Sequence, residues 1–208
     1  MTPLRLRSTV LVWIFSLLLV ACTSADGGLG LEPSDPGRGY ADWMSEARAA
    51  RARSDWEGAE LALRYAIARS PDNPAPYAQL GELRMAAGLI QEAEDAFRAG
   101  LAVDDAFRPG RDAYAWFLIG QGRGAEAAAL APQAGRRFED LHLRGATQLA
   151  VGDLVGGLGT LREAKALADR LQGSVAADAL VDVDCRMAGA RNPDATCPRG
   201  PVHGTARE

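Results

Sequence analysis

Aromatic side chains make up only 6% of the 208 residues, so Ala and Leu must fill most of any core, and such small side chains suit closely packed helices better than sheets. Lysine is nearly absent, Lys165 being the only one among 23 basic residues. The basic residues are also outnumbered: the formal charge of -4 becomes -6 without residues 1–21, because Arg5 and Arg7 are the only charges there (21 basic against 27 acidic). That balance excludes the electrostatic footprint of a nucleic-acid binder. Only two histidines occur, His142 and His203, and neither stands in an H-E-x-x-H pair, beside a nucleophile elbow, or in a Cys and His arrangement. The cluster Gly152, Gly156, Gly157 and Gly159 lacks the Lys and Ser or Thr of a phosphate loop, and reads as a turn and a loosely packed helix. No catalytic residue, no metal and no cofactor are therefore predicted. A content of 48% hydrophobic and 24% charged residues also excludes disorder over most of the chain. What is present is an all-α pattern with a clear address at its start.

Residues 1–21 combine Arg5 and Arg7 with a twelve-residue apolar run, Val10 to Ala21, broken only by Ser16. Twelve residues are too few to span about 30 Å of hydrocarbon, so the segment reads as a secretory signal. Its end, Leu19-Val20-Ala21-Cys22, resembles the lipobox of bacterial lipoproteins. The resemblance implies cleavage before Cys22 and three acyl chains on that cysteine, a membrane anchor without a spanning helix. An ordinary cleaved signal with an incidental cysteine, and a retained anchor, are the other readings. Thr23, and not Asp, follows the cysteine, which in Gram-negative lipoproteins implies export to the outer membrane, facing the periplasm; the inner membrane and a Gram-positive surface are the alternatives. Residues 22–39 follow as a tether: Thr23 to Gly39 holds five Gly, two Pro, two Ser and three acidic residues.

An internal period then dominates. Ala59, Ala93 and Ala127 are spaced by 34 residues, and so are the turn positions Ser54, Gly88 and Gly122. Tyr77, Leu80, Gly81, Arg84, Ala93 and Phe97 in one unit, and Trp43, Ala47, Ala59, Leu63, Ala66 and Pro71 in the one before, resemble the tetratricopeptide repeat (TPR). The resemblance implies a solenoid of helical hairpins over 40–171, divided as 40–73, 74–107, 108–137 and 138–171. Pro132 falls inside the second helix of unit three and should shorten it by about one turn. Unit four shows Leu141, Gly145, Gly152, Leu161 and Ala164 at signature places, with Gly157 where Ala is usual. A capping helix over 172–188 is predicted from Ser174 and the face Val175, Ala179, Val183 and Met187, followed by a tail, 189–208.

With Cys22 assigned to lipid, Cys185 and Cys197 remain for an oxidising compartment and are expected to pair, clipping the tail to the capping helix. Two free thiols are the alternative; a metal site with His203 would lack a fourth ligand. The run Glu92, Glu94 and Asp95 reads as a solvated helix face.

In TPR proteins places two, five, nine, twelve and thirteen of each unit face a concave groove. Carried onto this sequence, they give Met44, Arg48, Arg51, Glu82, Met85, Trp116, Ile119, His142 and Leu149 as the partner groove. Met85, Ile119 and Leu149 share one place in successive units and form an apolar stripe suited to an amphipathic peptide. The competing reading is that these side chains pack against the neighbouring helix. The order of lipobox, short tether and repeats is similar to the lipoproteins of Flp (tight-adherence) pilus assembly and to type IV pilotins. It implies a non-enzymatic scaffold whose partner is another envelope protein or peptide segment, a secretin or pilus component among the candidates. An adaptor for outer-membrane protein insertion or for peptidoglycan enzymes, and an envelope hydrolase with a TPR substrate module, are the alternatives.

Overall fold

The computed structural model describes residues 37–132, 134–171, 175, 177–190 and 197. The signal sequence, Cys22 and the tether up to residue 36 lie outside the described residues, as do Ser174, His203 and most of the tail. All regular structure among the described residues is helical: α1 (Tyr40–Ala52), α2 (Trp56–Arg69), α3 (Ala75–Ala86), α4 (Ile90–Val103), α5 (Arg108–Gly120), α6 (Gly124–Leu130), α7 (Phe138–Ala150), α8 (Leu154–Arg170) and α9 (Ala177–Gly189). The first eight pack as four successive hairpins, α1 with α2 through α7 with α8, and neighbouring hairpins stack on one another. The fold is an all-α helical solenoid of TPR type.

The turn inside each hairpin is the same device four times over. Ser54, Gly88, Gly122 and Gly152 have φ of 60°, 79°, 73° and 88°. Each donates its amide to the carbonyl three residues back (Arg51, Met85, Ile119, Leu149), and the following amide reaches five back, as Asp55 does to Ala50. This is a left-handed helix cap, a conformation that costs an L-residue with a Cβ roughly 1–2 kcal/mol. Ser54 alone pays it, so Ser54→Gly should stabilise the chain by about 0.5 kcal/mol after the extra freedom of the unfolded glycine is counted. A urea midpoint that falls on this substitution would contradict that account. Asp55 and Asp153 then start the second helices of units one and four by accepting the amides of Gly58 and Gly156, each at 2.9 Å.

Small residues set the hairpin spacing. Ala47, Ala59, Ala93, Ala115 and Ala127 are wholly buried. A Cβ on Gly81 would stand 2.7 Å from the Phe97 ring, and one on Gly145 would stand 2.7 Å from Leu161 Cγ. Gly157 has a reason the sequence did not display: a Cβ there would meet Leu149 Cδ2 at 2.6 Å, so the usual alanine has no room. Phe97, Tyr114 and Phe117 form the aromatic centre of the middle units, with ring centroids 5.6–6.0 Å apart.

Unit three departs further from the repeat than the sequence suggests. Its second helix, α6, has 7 residues where α2 and α4 have 14, a loss of about two turns and not one. Ala131, which precedes Pro132, is extended (φ -62°, ψ 145°), because the proline ring excludes the helical region for the residue before it. The helix therefore stops ahead of the proline instead of being interrupted at it.

Candidate functional site

The first helices of successive units lie side by side, α3 against α5 and α5 against α7, and the residues expected to form the groove are carried on these helices and on α1. Of the residues expected there, Arg48 is exposed and Arg51 is half-buried. Met85, Ile119 and Leu149 are half-buried as well, and each has found a packing partner: the first two rest on the cluster of Trp116, Phe117 and Ala146, and Leu149 on that of Leu141, Leu161 and Ala164. The apolar stripe is thus divided between two clusters, Met85 and Ile119 in the middle units and Leu149 in unit four.

Four of the expected groove residues are corrected outright. Met44, Glu82, Trp116 and His142 are buried, with Trp116 at 7% exposure and His142 at 1%. For Glu82, Trp116 and His142 a stagger between adjacent helices sets a late place on one against an earlier place on the next. Arg51 on α1 meets Glu82 on α3 at 3.6 Å. Trp116 on α5 lies under His142 on α7, ring centroids 4.7 Å apart.

The end of this row is covered by α9. Asp182 Oδ2 accepts from His142 Nε2 at 2.7 Å and from Arg186 Nε at 2.6 Å. The Arg186 guanidinium lies 5.0 Å from the Trp116 ring centre, over its face. Burial alone would raise the Asp182 carboxyl, but the hydrogen bonds from His142 and Arg186 and their positive charge hold it below the usual carboxylate range. Its other oxygen, Oδ1, is buried without a hydrogen-bond partner among the described residues.

Glu82 shows the opposite balance. Burial pushes its carboxyl up to about 7, against the opposing charge of Arg51. The Arg51 guanidinium is too distant for a short contact, and Glu82 Oε2 is buried without a hydrogen-bond partner among the described residues.

Sequence reasoning missed a second polar centre. Glu94, read as part of a solvated face, is buried and receives Tyr114 Oη at 3.1 Å, Arg123 at 2.7 Å and Arg98 at 2.7 Å. The hydrogen bond from Arg123 is the main reason its carboxyl is held low, with Tyr114 and the two arginine charges outweighing burial. One signal was present: Glu60 stands 34 residues earlier at the same place and pairs across units with Arg84 at 2.8 Å. A repeated acid just after the buried alanine marks a clamp between units.

Cys185 and Cys197 are joined as a disulfide, Cα atoms 5.5 Å apart, which ties residue 197 to α9 and leaves neither thiol for a metal. Among the described residues no group of three or more His, Cys, Asp or Glu could hold a metal ion, and no helix is long and apolar enough to cross a membrane.

Comparison with known proteins agrees with this geometry. The tetratricopeptide repeat family profile matches residues 50–109, from the end of α1 to the start of α5. Among solved structures the chain is similar to residues 41 to the end of MamA from Desulfovibrio magneticus RS-1, at 15% identity and a TM-score of 0.58, over 75% of this chain and 86% of that one. No curated protein sequence matches it. Fold and repeats together define the class: an all-α solenoid of tetratricopeptide type, with the repeat family matched over residues 50–109.

Proposed function

We propose that the chain is a lipid-anchored, non-enzymatic scaffold of the bacterial envelope, held by Cys22 at the outer membrane and facing the periplasm, where it positions another envelope protein during assembly of a pilus or secretion complex. The observation that carries the reading is the sequential order of lipobox, tether and protein-binding repeats: an anchor, a spacer and a docking body. Within the body, the one expected groove residue left fully exposed is Arg48, in unit one, with Arg51 half-buried beside Glu82. A partner segment that engages it meets a predominantly basic edge.

Two measurements test this reading. Cys22→Ala should leave the helical signal unchanged and move the protein from the membrane pellet to the soluble periplasmic fraction, since three acyl chains hold it and no folded contact is needed. Persistence in the pellet would remove the anchor from the reading. A photo-crosslinking side chain at Arg48 should trap an envelope protein in cells, whereas one at Leu61, exposed on α2, should not. Equal trapping from both positions would place the docking surface elsewhere.

A further inference from the structure

The end of a solenoid is closed by a cap that covers its apolar end and turns a polar outer face to water, with no need for buried charge. Helix α9 supplies one, with Ala179 and Val183 in the cluster of Phe138, Leu141, Leu161 and Ala164. It also brings charge into the protein. Asp182 is 1% exposed and Arg186 mostly covered, and together they reach back to His142 in unit four and to Trp116 in unit three. A buried ion group is a poor source of net stability, because desolvation cancels most of the attraction. Here both donors converge on Oδ2 and hold the carboxylate ionised, while Oδ1 is left without a hydrogen-bond partner among the described residues. Such an arrangement is selective more than strong: a carboxylate for the imidazole and, four residues later on the same helix, a guanidinium for the indole.

The helix that carries these groups is also the least embedded. Each of α1 to α8 belongs to a hairpin, while α9 is single among the described residues and leaves Val181 59% exposed. When it departs, Asp182 and Arg186 regain water, which offsets part of the cost of exposing Ala179 and Val183.

We propose that the face over Trp116 and His142 is a binding site for a partner helix bearing an acidic residue followed four places later by arginine, and that α9 is its resident occupant, displaced when the partner binds. This deepens the scaffold reading and rests on it for the existence of a partner, though not for the displacement of α9. The open edge at unit one would then be the first point of contact and the α9 site the second.

Hydrogen exchange on the full wild-type chain tests the displacement without any substitution. Amides of α9 should exchange at least tenfold faster than those of α7 and α8, through local opening. Equal protection of the three helices would overturn the proposal. Recognition is tested with a labelled synthetic peptide of residues 175–190 carrying Cys185→Ser. It should bind the full chain carrying Asp182→Ala and Arg186→Ala at least tenfold more tightly than the wild-type chain, whose site is filled. A peptide with both of those substitutions should lose that binding. Equal binding of the two peptides would overturn the stated chemistry. If the doubly substituted chain fails to fold, the same competition is read on the wild-type chain as faster α9 exchange in excess peptide, and no acceleration counts against the proposal. Independent opening of α9 together with no trapped protein at Arg48 would sink the scaffold reading and leave the displaceable helix intact.

Discussion

Gly81→Leu should lower the stability of the chain by about 3 kcal/mol or more, a loss of about 10 °C in melting temperature for a folded body of this size. Even a bare Cβ at this place would stand 2.7 Å from two atoms of the Phe97 ring. The ring cannot swing aside, because Phe97 is 1% exposed and packed between Gly81 and the rings of Tyr114 and Phe117, each 5.6 Å away by centroid. Relief would have to come from separating α3 and α4, which opens the whole hairpin. Gly88→Ala is the control: nothing lies within 4 Å of its Cβ and only the φ of +79° resists, so it should cost about 1 kcal/mol. Urea unfolding of the two variants side by side checks the difference. If Gly81→Leu cost no more than Gly88→Ala, close helix approach would not be what holds unit two together.

The second large effect depends on pH. Glu82 has a folded-state pKa of about 7 against an ordinary value of 4.5, so between those values the folded chain holds a proton that the unfolded chain has released. Its favourable contribution is complete below about pH 4.5 and is lost as pH rises through 7, a swing of about 3 kcal/mol. Glu82→Gln removes the titration while keeping the shape. The variant should therefore be more stable than wild type at pH 8, by about 2 kcal/mol after the amide's own burial is counted, and should show no advantage at pH 5. Thermal melts of both proteins at the two values decide it. An advantage that is equal at pH 5 and pH 8, or a variant less stable at pH 8, would mean that Arg51 satisfies the carboxylate despite the 3.6 Å separation.

The two effects differ in how visible they were beforehand. Gly81 stands out in the sequence because a period of 34 residues places small residues at matching positions, and only close helix packing needs them there. Glu82 was assigned to an open groove by the same register, and the register was right about the helix but not about exposure. What neighbours a place depends on how far one helix slides against the next, and the repeat does not encode that stagger. Trp116 and His142 show the same limit more sharply. Each sits where a groove residue belongs, and both are covered by Asp182 and Arg186 from a helix outside the repeat.

The sequence by itself determined the class of fold, the hairpins of the first two units, the turns at Ser54, Gly88 and Gly122, and a final helix with Val183 on its apolar face. These are local or periodic properties, settled by backbone conformation, side-chain volume and spacing along one helix. Only the tertiary structure decided that Glu94 would become a buried hub for Tyr114 and Arg123, and that α9 would fold its charged face back over His142 and Trp116. Those outcomes turn on contacts between residues 20 to 70 positions apart, whose partners are chosen by the stacking of units and leave no periodic trace in the chain.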